Sequence, residues 1–107
     1  MGRVVVAAYM PKPGREAELL AVVRRHFDVL RAEGLVTDRA PYVLRAASGA
    51  LIEVFEWRSA DAIRQAHGNA AVQAQWAEFD AACEYTPLAQ LAEAQQLFAE
   101  FEPVATL

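Results

Sequence analysis

The chain has 107 residues, of which 55% are hydrophobic and 22% are charged, and its formal net charge is −4. This length fits one domain, 1–107, without room for a second. The charges are interspersed without a basic run, so we expect no nucleic-acid partner. Cys83 is the only cysteine, which excludes an intrachain disulfide and a Cys-based metal site.

The apolar run Val4–Met10 stops at Pro11 and is far shorter than the roughly 20 residues that a membrane helix requires. We therefore expect no membrane partner. A lone cysteine is typical of a reducing compartment, so the expected location is cytoplasmic. The high apolar content of so small a domain predicts that part of it is buried in a subunit interface.

The first quarter of the chain is predicted to form a strand and then a long helix. Arg3–Met10 is rich in β-branched residues, which favour strands, and prolines with Gly14 end it. Apolar residues then recur at helical spacing from about Arg15 to Glu33. Gly34 is suited to follow the end of that helix.

A β-hairpin that leads into a second helix is predicted next. Tyr42–Ala47 and Leu51–Trp57 flank a Ser48-Gly49 turn. Ser59 is suited to cap the helix that follows, which contains His67.

The second helix is predicted to break at Gly68-Asn69 and to continue on the far side. There, apolar residues are spaced four, three and four apart: Val72, Trp76, Phe79 and Cys83. Pro87 is predicted to open a short helical turn that lasts through about Ala94. Phe98–Val104 is the predicted fourth strand, and Pro103 makes it a short or edge strand.

The order β-α-β-β-α-β predicts an α+β fold of the ferredoxin-like kind, with a four-stranded antiparallel sheet and helices on one face. Val43, Ile52 and Val54 are predicted to point to the other face, which would then be apolar. A second sheet packed against it would exclude water, so we expect a homodimer.

The segment Ile52–His67 is a strand that reads IEVFEWRS followed by a helix that ends in Ala-His. With this element order, it resembles the antibiotic biosynthesis monooxygenase superfamily of dimeric α+β barrels, and the coarse likeness covers nearly the whole chain. The resemblance implies cofactor-independent oxygenation of a small phenolic or quinol-type aromatic. The superfamily's haem degraders use an asparagine on the first strand. Arg3–Met10 contains none, so haem is the least favoured ligand.

Glu53 and His67 are the candidate catalytic residues. Strand alternation places Glu53 between Leu51 and Phe55, where a carboxylate is costly to ionise and could accept a proton from a phenol. His67 has acid–base chemistry near neutral pH. The alternatives are structural: Glu53 would bond a neighbouring Tyr or Arg, and His67 would bond the backbone at a helix end.

His26 lies in an apolar helical stripe and is predicted to be a hydrogen-bonded core histidine. Neither His26 nor His67 has a ligating residue three or four positions later, so we expect no metal site and no cofactor.

Aromatic side chains are the candidate substrate-binding residues, because they could hold a flat ring. They are Tyr9, Tyr42, Phe55, Trp57, Trp76, Phe79 and Tyr85. A symmetric turn would place Tyr42 opposite Phe55 and Leu44 opposite Glu53. The same rings also fit an ordinary core, in which Glu53 accepts a hydrogen bond from a buried Tyr or Trp.

Two functions are therefore predicted as alternatives. One is a monooxygenase-like homodimer that removes a hydroxyl proton from a small aromatic substrate. The other is a non-catalytic small-ligand binder or accessory homodimer on the same scaffold, since a fold does not fix a function.

Overall fold

Three α-helices pack on one face of an antiparallel sheet in the computed structural model, which describes residues 1–104. The strands are β1 (Arg3–Pro11), β2 (Tyr42–Arg45), β3 (Leu51–Trp57), β4 (Cys83–Thr86) and β5 (Glu102–Pro103), and the helices are α1 (Glu16–Ala32), α2 (Ala60–Ala66) and α3 (Ala70–Ala82). Their order across the sheet is β4-β1-β3-β2-β5, and each neighbouring pair is antiparallel. The α+β class is confirmed. The order β4-β1-β3-β2 is compatible with a ferredoxin-like fold, but the predicted count of four strands is wrong.

The predicted helix boundaries between α2 and α3 are confirmed. The Ser59 side chain accepts a hydrogen bond from the Ala62 N–H, and the Asn69 side chain accepts one from Val72. Each bond satisfies a backbone donor that the first turn of a helix leaves unpaired. The caps fix where α3 begins, and thereby which of its side chains face the sheet.

The fourth strand is β4, and it comes earlier in the chain than the predicted Phe98–Val104. Cys83 was expected to continue the helical stripe of α3, but its backbone is extended, with φ −148° and ψ 170°. The four residues of β4 pair with β1 at the edge of the sheet, and the β-formers Tyr85 and Thr86 suit that position. The predicted final strand is reduced to the two residues of β5, at the opposite edge.

The β2–β3 hairpin differs in register by one residue from the prediction. Tyr42 pairs with Val54, Val43 with Glu53, and Leu44 with Ile52. The cause is the turn: the Ala46 N–H bonds the Ala50 carbonyl, and Gly49 has a positive φ of 96°, as in a three-residue connection with a left-handed glycine. A one-residue shift exchanges the faces of the strand. Tyr42 therefore lies on the face away from the helices and does not oppose Phe55.

The chain's own C-terminal segment covers part of the sheet face that points away from the helices, hereafter the outer face. Two short 3₁₀ turns, Leu88–Gln90 and Ala92–Gln95, lie in this segment, and Leu91 packs with Ala8 and Ile52. Ile52 is thus buried within the protomer rather than by a partner. Val43 faces the helices because its paired residue, Glu53, does so. The rest of the outer face stays exposed, with Val4, Val6 and Tyr42 at 59%, 44% and 68% of their full accessibility.

Within residues 1–104, no helix combines the length and the apolar character needed to cross a membrane. The longest helix, α1, has 17 residues and carries acids and bases along its exposed side.

Candidate functional site

Three polar side chains meet in the layer between α1 and the sheet. The carboxylate of Glu53 lies 2.8 Å from the Tyr9 hydroxyl and 2.8 Å from Nδ1 of His26, with its second oxygen 3.1 Å from that nitrogen. Glu53 is 1% exposed and His26 4%. Since a buried charge is stable only when it is hydrogen-bonded, these contacts explain how an acid is tolerated at this depth.

Local sequence explains how each of the three side chains reaches this point. Tyr9 and Glu53 lie on the helix-facing side of neighbouring strands, and the small Ala7 is directly paired with Glu53. His26 belongs to the buried stripe of α1, between Val23 and Leu30. The contacts span 44 residues from Tyr9 to Glu53 and 27 from His26 to Glu53, so they form only when the fold is complete.

The hydrogen bonds of Glu53 determine the proton positions in this cluster. Burial raises the pKa of Tyr9 far above its ordinary value, and the charge and hydrogen bond of Glu53 raise it further. Tyr9 therefore remains a hydroxyl and donates to the carboxylate. The same carboxylate accepts from His26, which places the imidazole proton on Nδ1. In that tautomer Nε2 is a hydrogen-bond acceptor.

Nε2 of His26 is buried and has no hydrogen-bond partner in the described part of the chain. His26 lines a cleft of about 380 Å³ whose other walls are Tyr9, Trp76, Phe79, Asp80 and Tyr85. Such a volume lies within the range of small-molecule sites. An unpaired buried nitrogen is uncommon in a folded protein, and here it belongs to a residue that lines an aromatic cleft.

Ring packing holds the imidazole in place. The His26 ring is nearly perpendicular to Phe79 and Phe55, at 5.0 Å and 5.6 Å between ring centroids, and Tyr9 stacks on Phe79 at 4.7 Å. Edge-to-face and offset stacked pairs are favourable aromatic geometries. The ring of His26 is therefore fixed by Glu53 on one side and by aromatic contacts around it.

Four of the predicted aromatic residues line this cleft: Tyr9, Trp76, Phe79 and Tyr85. Phe55 contacts His26 from the sheet, and Trp57 packs next to Phe55 in the core. Tyr42 lies on the outer face, as the corrected hairpin register requires. The predicted substrate-binding set thus divides into cleft walls, core supports and one residue on the opposite side of the sheet.

His67 lies outside the cleft lining. Its side chain is exposed, its Nδ1 donates to the Ile63 carbonyl at 2.9 Å, and its ring packs edge-to-face with Trp76 at 5.0 Å between centroids. This is the helix-end arrangement weighed as the alternative for His67. The structure pairs Glu53 with His26 instead.

Sequence reasoning gave His26 a structural role and did not consider Asp80 at all. The available signal for His26 was its place as a titratable residue in the buried stripe of α1. A buried titratable residue becomes a strong functional candidate when it also has a specific charged partner. The partner lies 27 residues away.

Within residues 1–104, no group of three His, Cys, Asp or Glu side chains is arranged to hold a metal ion.

Cys83 borders this region and is expected to be unreactive in the folded protein. Burial raises the pKa of its thiol to about 11, and the charge of Asp80 contributes in the same direction. The thiolate is the reacting species, so iodoacetamide at pH 8 should alkylate Cys83 at least tenfold more slowly in the native than in the urea-unfolded protein. Mass spectrometry of timed samples measures both rates, and equal rates would contradict the prediction.

Comparison of the chain with protein-family models, with curated proteins and with solved structures gave no match. A function must therefore be inferred from the chemistry of the site itself.

Proposed function

We propose that this protein is an enzyme that removes the hydroxyl proton of a small phenolic or quinol-type aromatic, with His26 as general base and Glu53 as its positioning residue. The observation that carries the proposal is the buried imidazole, whose Nδ1 is bonded to a carboxylate and whose Nε2 has no partner among residues 1–104. A base held by a third group is the usual arrangement for proton abstraction.

In the proposed complex, the substrate ring lies against Trp76, Phe79 and Tyr85, and its hydroxyl donates to Nε2 of His26. The proton moves to Nε2, and the resulting imidazolium is stabilised by the Glu53 carboxylate. Exclusion of water by the aromatic walls strengthens both interactions. The product of this step is a phenolate, which is a much better electron donor than the phenol.

We further propose that the phenolate or quinolate reacts with dioxygen without a cofactor, as the sequence resemblance implies. One oxygen atom bonds to a ring carbon, and the other leaves as water with two hydrogens from the substrate. The aromatic is oxidised to a quinone and dioxygen is reduced, so no further oxidant is needed.

The second candidate is a non-catalytic binder on the same scaffold. It is favoured by the fact that the Tyr9–Glu53–His26 cluster also ties β1, β3 and α1 together, which is a sufficient structural reason for its presence. Both functions use the same cleft, but only the first requires Nε2 to accept a proton.

Oxygen uptake separates the two candidates. The enzyme should consume oxygen with at least one member of a panel of hydroquinones, and His26→Gln should reduce that rate at least 100-fold. Tyramine, whose phenol is protonated in free solution near neutral pH, reports deprotonation on binding by the difference absorbance of its phenolate. Binding with neither a phenolate spectrum nor oxygen uptake would favour the binder.

We propose that the functional form is a homodimer joined through the exposed part of the outer face, around Val4, Val6 and Tyr42. Exposed apolar residues on one sheet face are typical of subunit interfaces. Sedimentation velocity should give twice the 11.8 kDa mass of the chain. Val6→Asp should yield monomers, whereas Ala17→Asp, which adds the same charge on the exposed side of α1, should not. A wild-type monomer at micromolar concentration would contradict the proposal.

The proposed chemistry needs neither metal nor cofactor, and we propose a cytoplasmic location for it. The lone cysteine is unpaired and buried, which suits a reducing compartment. Fractionation of the native host with an antibody to the chain would test the location.

A further inference from the structure

The two strongest hydrogen-bond acceptors of the cleft lie at different depths. His26 is buried, whereas Asp80, which follows the cleft-wall residue Phe79 on α3, is exposed. His26 therefore lies at the inner end of the cleft and Asp80 at its mouth. A ligand that fills the cleft would meet an acceptor at each end.

Each of the two tyrosines in the lining interacts with a carboxylate. Tyr9 donates to Glu53. Tyr85 interacts with Asp80, and its pKa is raised by desolvation first and then by the carboxylate of Asp80. Among residues 1–104, Trp76 is the other lining residue that carries a side-chain N–H donor. The cleft thus presents hydrogen-bond acceptors to a ligand but few donors. It therefore favours ligands that carry hydrogen-bond donors.

The charge of the cleft is also one-sided. Within residues 1–104 its lining contains one carboxylate and no Lys or Arg. Lys12 lies nearby, but its ammonium donates to the main-chain carbonyl of Asp80 at 2.8 Å and is absent from the lining. An anionic ligand would therefore lose hydration beside Asp80 without a cation in the lining to contact directly, and a single indole N–H does not offset that loss.

We propose that the cleft selects neutral or cationic aromatics that carry a hydrogen-bond donor at each end, and that Asp80 is the specificity residue that binds the outer donor. The ligand class is a phenol with an amine or a second hydroxyl at its far end; carboxylated phenols are excluded. The proposal rests on the proposed function, because the inner donor is the hydroxyl that His26 deprotonates.

Two commercially available phenols test this selectivity directly. Tyramine and 3-(4-hydroxyphenyl)propionate share the phenol and a two-carbon spacer but end in an ammonium and a carboxylate. Asp80 should attract the ammonium and repel the carboxylate. Because the site is partly exposed, we expect tyramine to bind about tenfold more tightly. Isothermal titration calorimetry at low salt measures both Kd values. Asp80→Asn should bring the ratio of the two Kd values close to one.

Glu78→Gln is the matched control, because it removes the same charge from α3 at a residue that pairs with Arg25 instead of lining the cleft. It should leave the tenfold preference intact. Equal affinity of the two phenols for the wild type, or a preference that survives Asp80→Asn, would overturn the assignment of Asp80.

The effect of His26→Gln separates this inference from the proposed function. If tyramine binds with the predicted preference but His26→Gln leaves its Kd unchanged, the role of His26 is wrong while the outer selectivity stands. If His26→Gln weakens the binding of both phenols and the wild type binds the two equally well, the role of His26 as base is supported and the role of Asp80 is not. Failure of both phenols to bind at millimolar concentration would overturn both.

Discussion

Replacement of Glu53 by glutamine is expected to give a folded protein with a much weaker base. The amide has nearly the shape of the carboxylate, and its oxygen can still accept from Tyr9. The same oxygen lies 2.8 Å from Nδ1 of His26 and can accept from it as well. The amide carries no negative charge, however, so it does not stabilise the imidazolium that forms when Nε2 takes the substrate proton.

Loss of this charge beside the general base should lower kcat by a factor of roughly 10² to 10⁴. The free energy of unfolding should fall by only about 1–2 kcal/mol, since most of the hydrogen bonding is retained. The measurements are oxygen uptake with the best quinol substrate and urea unfolding followed by tryptophan fluorescence.

Glu56→Gln is the control for this variant, because Glu56 lies on the same strand but on the outer face, where it bonds Thr37 and Arg39. It should keep full activity, as should His67→Gln. Wild-type turnover by Glu53→Gln, or loss of activity in His67→Gln, would contradict the roles given to Glu53 and His26.

Phe79→Ala is expected to be the most destabilising single change at the site. Phe79 is 1% exposed, stacks on Tyr9 and meets the ring of His26. Its truncation leaves a cavity beneath the cleft, and such changes lower the free energy of unfolding by about 3–5 kcal/mol. For a domain of this size each kcal/mol corresponds to about 4–8 °C in Tm, so a decrease well above 10 °C is expected by calorimetry.

Phe98→Ala is the matched control, because Phe98 is 79% exposed in the C-terminal segment. It should change the free energy of unfolding by less than about 0.5 kcal/mol. A loss below about 1.5 kcal/mol for Phe79→Ala would mean that the cleft wall is not packed as described.

Local signals in the sequence account for most of the fold. Helical periodicity located α1, and the caps at Ser59 and Asn69 located the boundary between α2 and α3. The β4 strand was missed because Cys83 continues the apolar spacing of α3, although its backbone is already extended. That strand forms because the edge of β1 is available for pairing, which is a tertiary cause that no local pattern carries.

The candidate site was predictable only in part. Strand alternation singled out Glu53 as a buried acid, and the possibility that a tyrosine donates to it was considered. Its partners could not be chosen, because Tyr9 and His26 reach it across three different elements. The register of the hairpin, set by Gly49 at a φ of 96°, decided that Tyr42 lies on the other side of the sheet.

The protonation of His26 is the most direct test of this account. The chain has two histidines, so long-range ¹H–¹⁵N NMR of the imidazoles at pH 8 resolves both, and His67→Gln assigns them. We expect a proton on Nδ1 of His26 and an unprotonated Nε2 whose ¹⁵N shift moves when tyramine is added. A proton on Nε2 in the free protein would contradict it.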